Sequence, residues 1–182
     1  MAATTILLTR HGETDWNRDR RVQGHVDELL NETGRTQAQL LAERLAGESL
    51  DAVYASDLKR AHETARIVAA THGLGVTPVP DLREKHFGTW EGLTDREILL
   101  RYPEARRGHW GDGETAEEMG GRVIAALRQI AEAYPAGRVL VVTHGGPLRA
   151  VLRHCGAKVP RPLENCHVIA VTVEEGRFTH TG

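Results

Sequence analysis

The chain has few of the residues that mark several large classes of protein. Only 4% of its 182 residues are aromatic, which leaves little material for the base-stacking surfaces of nucleic-acid binders. It has two cysteines, Cys155 and Cys166, and neither belongs to a CxxC spacing, so we expect reduced thiols rather than a disulfide framework or a thiolate metal site. The formal net charge of -2 creates no overall field that would attract nucleic acid or an acidic membrane.

Long apolar runs and metal-binding motifs are missing as well. No stretch approaches the roughly 20 residues that a membrane-spanning helix needs, and the N-terminus lacks the basic and apolar regions of a secretory signal. Although the chain has ten histidines, it has no HExxH motif and no His/Asp cluster at metal-ligand spacing. We therefore expect a cytoplasmic protein that binds neither nucleic acid nor membrane and needs no metal ion or other cofactor.

The remaining composition is that of an ordinary globular protein. A hydrophobic fraction of 40% and a length of 182 residues suffice for one domain with a substantial core. We find no repeat, low-complexity tract or linker, so residues 1–182 are expected to form a single domain. Strand-like and helix-like segments alternate, which indicates a mostly parallel central sheet covered on both faces, a three-layer α/β/α sandwich.

Hydrophobic periodicity predicts where the elements lie. Apolar residues at helical spacing indicate helices over residues 34–45, 114–134 and 147–154. A further helix, capped by Ser56 or Asp57, is predicted to run to about residue 71. Thr33 and Thr115 are the expected N-caps of the helices over residues 34–45 and 114–134. A long polar loop is expected over residues 12–31. Strands are predicted over residues 6–8, 50–55, 76–79, 138–143 and 167–173, the last followed by a hairpin into residues 177–179.

The segment Thr9-Arg10-His11-Gly12 suggests a site of chemistry. It follows an apolar strand, which delivers Arg10 and His11 to its C-terminal end, where open α/β sheets bind ligands. This pair suits an anionic substrate, because a guanidinium can hold anion oxygens with its planar fork and an imidazole can attack as a nucleophile. A solvated basic pair at a strand end would show the same short motif, so the motif alone does not decide between the two.

Three later segments supply matching parts. Val142-Thr143-His144-Gly145 repeats the order of apolar strand, histidine and glycine, and histidines at two neighbouring strand ends would face each other across one pocket. Arg60 falls in the first turn of a helix whose N-terminal amides point to the same edge, although alone it could be a surface arginine. The loop over residues 81–92 carries several carboxylates, and any one of them could be a solvated loop acid or could supply the proton that a leaving oxygen requires.

Taken together, these segments resemble the histidine phosphatase superfamily, in the branch that contains cofactor-dependent phosphoglycerate mutases, fructose-bisphosphatases and small broad-specificity or α-ribazole phosphatases. The chain departs from the family at Thr143, where serine is frequent, and at Glu28-Leu29, where a residue–proline pair is common. The similar blocks are Arg10-His11-Gly12-Glu13-Thr14 with Asn17, Gln23-Gly24, Leu30-Asn31-Glu32-Thr33-Gly34 with Gln37-Ala38, Ser56-Asp57-Leu58-Lys59-Arg60-Ala61 with Thr64-Ala65, Leu82-Arg83-Glu84 with Phe87-Gly88 and Glu91-Gly92, and His144-Gly145-Gly146 with Arg149.

The resemblance implies a phosphoglycerate mutase-like fold and a metal-independent phosphomonoesterase that hydrolyses a small phosphorylated metabolite. His11 would be the nucleophile that becomes phosphohistidine, and it must be neutral to attack, so its other ring nitrogen should donate to a backbone carbonyl. Glu84 would protonate the leaving group and then act as the base for water. Because Glu84 must hold a proton before it can donate one, activity is expected at mildly acidic to neutral pH.

The resemblance also implies how the phosphate is held. Arg10, Arg60 and a protonated His144 would bind the phosphoryl oxygens and offset the negative charge of the transition state. Asn17 and Gly24 would shape the phosphate side of the pocket. These five residues, with His11 and Glu84, are the predicted site.

Two other functions are kept open: a phosphoglycerate mutase, and a phosphate-ester binding module without turnover. Mutases of the family are longer, and an open site admits water, so hydrolysis is the favoured expectation. Residues 98–112, including Tyr102 and Trp110, are expected to cover the leaving group. Arg106, Arg107 or His109 there could contact a second anionic group, or simply form a basic helix end in solvent. The chain could be a monomer or a homodimer.

Overall fold

The centre of the computed structural model, which describes residues 2–107 and 111–181, is a six-stranded sheet. Its spatial order is β3-β2-β4-β1-β5-β6. The pairs β1–β4, β2–β4 and β2–β3 are parallel, whereas β5 is antiparallel to both β1 and β6. The strands are β1 (Thr4–Arg10), β2 (Ala52–Ala55), β3 (Val76–Pro78), β4 (Arg138–Thr143), β5 (Val168–Glu174) and β6 (Arg177–His180).

Helices cover both faces of this sheet, so the expected three-layer α/β/α sandwich is confirmed. Short 3-10 segments occupy Pro80–Leu82, Gly88–Trp90 and Pro103–Arg107. The helices are α1 (Asp15–Arg18), α2 (Glu32–Leu45), α3 (Lys59–Thr71), α4 (Asp95–Arg101), α5 (Ala116–Ala133) and α6 (Gly145–His154).

The two faces of the sheet carry separate hydrophobic cores. Successive strand residues point to opposite faces, so Leu7 and Leu140 pack against α2 and α3, whereas Ile6 and Val141 pack against α5 and α6. Each face therefore buries an unbroken apolar layer. This explains the continuous apolar runs at residues 6–8 of β1 and 139–142 of β4.

All four predicted helix starts differ from those in the structure, and that of α5 is Ala116 rather than residue 114. Helix α2 begins at Glu32, because the Asn31 side chain, rather than that of Thr33, accepts from the Gly34 amide at 2.8 Å. Helix α3 begins at Lys59, whose amide donates to Asp27 Oδ1 at 2.7 Å, and its N-cap is Leu58 rather than Ser56 or Asp57. Helix α6 begins at Gly145, and the polar loop over residues 12–31 contains α1. The Thr115 cap of α5 is confirmed.

The segment expected to cover the leaving group is partly described. Helix α4 and the turn after it pack on Trp90, whose ring stacks on that of Tyr102 with centroids 5.2 Å apart. His109 and Trp110 lie outside the described residues, as do the side chains of Arg106 and Arg107, so their predicted role stays a prediction.

Two further expectations concern the cysteines and membranes. Cys155 is half-buried and Cys166 is buried, and both are free thiols. Burial raises the pKa of Cys166 to about 11. Across residues 2–107 and 111–181, none of the helices has the length and apolar character required to span a bilayer.

Candidate active site

Two histidines meet at the C-terminal edge of the sheet because β1 and β4 are parallel neighbours. The register pairs Arg10 with Thr143, so His11 and His144 follow at the same level. The His11 amide donates to the Thr143 carbonyl at 3.0 Å, and the two imidazole centroids are 5.1 Å apart. Both side chains are buried. The sequence-based pairing of these two histidines is confirmed.

The geometry around His11 leaves it neutral and aimed for attack. Its Nδ1 lies 2.7 Å from the Gly12 carbonyl, which can only accept, so Nδ1 carries the proton and Nε2 keeps its lone pair. Burial, and then the charges of Arg60 and Arg10, hold the pKa of His11 well below its ordinary value. The hydrogen bond to a backbone carbonyl that the sequence analysis expected is therefore present.

Gly12 is required by a close approach of another element rather than by a special backbone angle. A Cβ at Gly12 would lie 2.4 Å from the carbonyl oxygen of Gly34, in the first turn of α2, while its φ lies outside the left-handed region. The Gly12 amide donates to Thr64 Oγ1 at 3.0 Å, and that hydroxyl donates to the Arg60 carbonyl at 2.7 Å. Helix α3 is thereby tied to the strand that carries the nucleophile.

Two guanidinium groups are fixed beside His11. Arg60 is fully buried, and its Nη1 and Nη2 donate to the carbonyls of Val26 and Gly24 at 2.7 Å each. Arg10 Nη1 donates to the Leu163 carbonyl at 2.6 Å. The Nε atoms of both arginines are buried without a partner among the described residues, as donors awaiting an anion would be. Burial lowers the pKa of Arg60 to about 10, so it stays charged near neutrality.

His144 is held by a residue whose role the sequence did not reveal. Its Nε2 lies 2.9 Å from Ser56 Oγ, and its buried Nδ1 meets no partner within the described part of the chain. Burial and Arg60 keep the pKa of His144 well below its ordinary value, so the expected protonated His144 does not hold for the free protein. With the Ser56 hydroxyl donating to Nε2, a neutral His144 presents an Nδ1–H donor.

The carboxyl group of Glu84 lies between its own loop and the start of α6. Oε1 accepts from the Lys85 amide at 2.8 Å and Oε2 accepts from the Gly146 amide at 3.0 Å. A Cβ at Gly146 would lie 2.0 Å from Oε1, so glycine makes room for the acid. Among the nearby acids, Glu84 has the largest effect on the pKa values of both Arg10 and Arg60, as a carboxylate close to both guanidinium groups would.

Arg122 of α5 holds the Glu84 loop, and the sequence analysis missed it. Its Nε and Nη2 form a bidentate pair with the Glu114 carboxylate at 2.6 and 2.7 Å. The remaining donors bond at 2.8 Å to three backbone carbonyls of the loop, those of Asp81, Arg83 and Glu84. An arginine mid-way along an amphipathic helix carries no sequence mark that would separate it from a surface arginine.

The structure places Asn17 and Gly24 in supporting positions. Asn17 Oδ1 accepts from Asn165 Nδ2 at 3.3 Å, and the same amide nitrogen donates to the His11 carbonyl at 2.9 Å. Gly24 has a φ of +54° and supplies a carbonyl to Arg60. Both residues thus brace the groups expected to meet the phosphate.

A cleft of about 1200 Å³ lies beside this site, and Arg10, Glu84 and Gly146 are in its lining. No three His, Cys, Asp or Glu side chains within residues 2–107 and 111–181 are grouped as a metal ion would require. Of the described residues that line the cleft, three are acidic (Glu84, Asp95 and Glu114) and seven are basic (Arg10, Arg20, Arg21, Lys85, Arg149, Arg153 and Arg161). An anionic molecule would therefore be favoured there.

Comparison with known proteins finds a matching family and similar relatives. Residues 6–181 match the profile of the family described as "Histidine phosphatase superfamily (branch 1)". The chain is 44% identical over 157 residues to phosphoglycerate mutase-like protein 4 of Arabidopsis thaliana, covering 80% of this chain and 68% of the relative. It is 42% identical over 187 residues to the metal-independent phosphoserine phosphatase of the same plant, covering 96% and 79%.

The fold is also shared with a solved structure. A mycobacterial glucosyl-3-phosphoglycerate phosphatase, solved as a complex with VO3, superposes with a TM-score of 0.88 at 28% identity. The match covers 98% of this chain and 97% of the mycobacterial chain. The similarity therefore includes all of the elements that surround the site.

Proposed function

Since the chain belongs to branch 1 of the histidine phosphatase superfamily and is a phosphoric monoester hydrolase, we propose that it acts through a phosphohistidine on His11. The observation that carries this proposal is the state of His11. Its proton is on Nδ1, its Nε2 is free to attack, and two guanidinium groups with unpartnered Nε donors flank it. The other described imidazole beside these arginines, that of His144, has its Nε2 bonded to Ser56 Oγ, which leaves His11 as the nucleophile.

The proposed reaction has two steps. In the first, His11 Nε2 attacks phosphorus, the ester P–O bond breaks, and Glu84 gives its proton to the leaving oxygen. In the second, Glu84 takes a proton from water, the resulting hydroxide attacks phosphorus, and the P–N bond breaks to release phosphate. Arg10, Arg60 and the Nδ1–H of His144 stabilise the phosphoryl oxygens in both steps.

The substrate we propose is a small phosphorylated metabolite, cleaved without a metal ion. One relative is named a metal-independent phosphoserine phosphatase, and a structural neighbour acts on a glucosyl-phosphoglycerate. Both names describe acidic compounds, which suits a cleft in which most of the charged lining residues are basic. A relative named for phosphoglycerate mutase keeps transfer to a second hydroxyl as the alternative outcome.

Phosphate release from a panel of phosphomonoesters, in excess chelator, tests this function. The wild-type protein should release phosphate from at least one ester, and His11→Ala should release none. Glu84→Gln should lose most activity towards alkyl phosphates and less towards p-nitrophenyl phosphate, whose leaving group needs no proton. Release that requires an added metal ion, or that survives in His11→Ala, would contradict the proposal.

A further inference from the structure

One wall of the cleft carries guanidinium groups that the proposed reaction does not use. Gly146, Arg149 and Arg153 recur on one face of α6, at positions i, i+3 and i+7. That face begins at the Gly146 amide, which binds Glu84, and continues with the two arginines. Arg161, from the loop that follows α6, lines the same cleft. The wall therefore leads outward from the position of the leaving oxygen.

Arg149 is the innermost of these three groups. It is half-buried, and its Nη1 lies 3.0 Å from the position that a Cβ on Gly145 would occupy. Arg10 Nε lies 3.7 Å from that same position, so the two guanidinium groups are neighbours. An anion bound between them would contact both.

This concentration of positive charge is not neutralised within the described protein. The side chains of Arg149, Arg153 and Arg161 make no ion pair or hydrogen bond with any residue that the structure describes. Arg21, on another part of the cleft, shows the contrast, since Glu97 lies 3.3 Å from it. Like charges held together without a counter-ion are unfavourable, and a bound anion removes that cost.

We propose that Arg149, assisted by Arg153 and Arg161, binds a carboxylate on the leaving group of the substrate. The inference rests on the proposed function, since it assumes that the phosphoryl group lies between Arg10 and His11. With the phosphoryl group there, Arg149 reaches a group only a few bonds away from phosphorus. A planar carboxylate matches the fork of a guanidinium. The subsite therefore selects phosphorylated acids over neutral phosphate esters.

The test compares two ligands that differ at one group. 3-Phosphoglycerate and glycerol 3-phosphate share their carbon chain and phosphate, but one has a carboxylate where the other has a hydroxymethyl group. Binding is measured by calorimetry to His11→Ala, which cannot turn over either ligand. We expect 3-phosphoglycerate to bind more tightly by at least about tenfold, the effect of one charge-assisted interaction.

Substitutions then show which arginines cause the preference for 3-phosphoglycerate. Adding Arg149→Met should bring the ratio of the two dissociation constants to about one while changing that of glycerol 3-phosphate little. Arg153→Met with Arg161→Met, both at exposed positions, should lower the ratio partly without any effect on folding. The matched control is Arg66→Met, an exposed arginine on α3 outside the cleft, which should leave the ratio unchanged.

Two results would overturn the inference: equal affinity for the two ligands in the parent protein, or a preference that persists in folded Arg149→Met. If Arg149→Met fails to fold, the exposed double variant decides, and an unchanged ratio there would contradict the subsite. Because binding is measured without turnover, these outcomes are separate from the phosphate-release assay. A protein that prefers 3-phosphoglycerate through Arg149 but releases no phosphate would refute the function and keep the subsite.

Discussion

At the scale of single residues, burial sets which side chains of the site carry charge. His11 and His144 are buried beside Arg10 and Arg60, and both their pKa values are lowered. The arginines remain charged because even the lowered pKa of Arg60 stays far above neutrality. The site therefore combines neutral imidazoles with fixed cations. In the proposed reaction, a neutral His11 can attack phosphorus, a neutral His144 can donate a hydrogen bond, and the charged arginines offset the negative charge of the phosphate.

The lowered histidine pKa values predict how stability depends on pH. Below the ordinary imidazole value of 6.5 the unfolded chain gains protons that the folded site resists, so the free energy of unfolding should fall as pH falls. Each of the two histidines contributes up to about 1.4 kcal/mol per pH unit. Denaturant unfolding between pH 6.5 and 5 measures this slope.

His11→Gln should reduce the dependence of the unfolding free energy on pH by the contribution of one histidine, up to about 1.4 kcal/mol per pH unit. Carboxylates such as Asp57, whose pKa is lowered by its hydrogen bond with Arg83, titrate below this range and do not obscure the effect. An identical slope in the two proteins would show that His11 is not held neutral by the fold.

The hydrogen bond between Ser56 and His144 predicts a specific loss in Ser56→Ala. The imidazole would lose the partner that fixes its ring, so kcat should fall about tenfold, corresponding to about 1.4 kcal/mol of transition-state stabilisation. Steady-state kinetics with a good substrate measures it, and thermal unfolding confirms that the variant is folded. An unchanged kcat would mean that the Ser56 contact does not orient His144 during the reaction.

The positions of some of these residues could be predicted from the sequence, and the roles of others could not. Arg10, His11 and His144 follow apolar strands, so their position at the sheet edge could be predicted. Ser56 sits at a strand–helix junction, where it was expected to be a cap, because caps and buried hydroxyl partners have the same residue types. Arg122 acts on backbone carbonyls of a distant loop, and such contacts leave no mark in the local sequence.

At the scale of elements, glycines set how closely α2 approaches β1. A Cβ at Gly34 would lie 2.1 Å from the Glu13 carbonyl oxygen, and the neighbouring backbone has no room to yield. Gly34→Ala should therefore lower the free energy of unfolding by about 1–3 kcal/mol, as overpacking does. Chemical denaturation measures the change.

Gly121→Ala is the matched control for that substitution. Gly121 is an exposed residue within α5, and a Cβ there would meet no atom within 4 Å. Alanine should raise the free energy of unfolding by about 0.5–1 kcal/mol, because glycine is a poor helix former. A similar effect of the two substitutions would contradict a specific close approach at Gly34.

Arg122 connects helix α5 to the loop that carries Glu84. Arg122→Lys keeps the charge next to Glu114 but cannot reproduce the fork, so the loop should lose part of its support. We expect kcat to fall about tenfold while KM changes less, because the acid moves and the phosphate-binding arginines do not. Arg122→Met should also lower the free energy of unfolding by about 2–3 kcal/mol.

Comparing p-nitrophenyl phosphate with an alkyl phosphate separates the two roles of Arg122. If Arg122 positions the acid, Arg122→Lys should affect the alkyl phosphate more, since its leaving oxygen needs the proton of Glu84. Equal losses for the two esters would indicate a general structural effect.

At the scale of the whole molecule, the sheet order explains how distant segments meet. The strand order places β4 between β2 and β1, so the residues that follow three different strands converge at one edge. Alternation of strands and helices was enough to predict the sandwich, and the apolar run over residues 138–143 gave the bounds of β4 correctly. The helix starts at Glu32 and Gly145 were missed, because side-chain caps and tertiary contacts decide them.

Trapping the covalent intermediate tests the central claim most directly. A radiolabelled phosphomonoester is mixed with wild type, Glu84→Gln and His11→Ala, and the protein is quenched in alkali during turnover. The account predicts a label that survives alkali and is lost in acid, that accumulates in Glu84→Gln because its hydrolysis is slowed, and that is absent from His11→Ala. Label retained by His11→Ala, or no acid-labile label in Glu84→Gln while phosphate is being released, would contradict a phosphohistidine on His11.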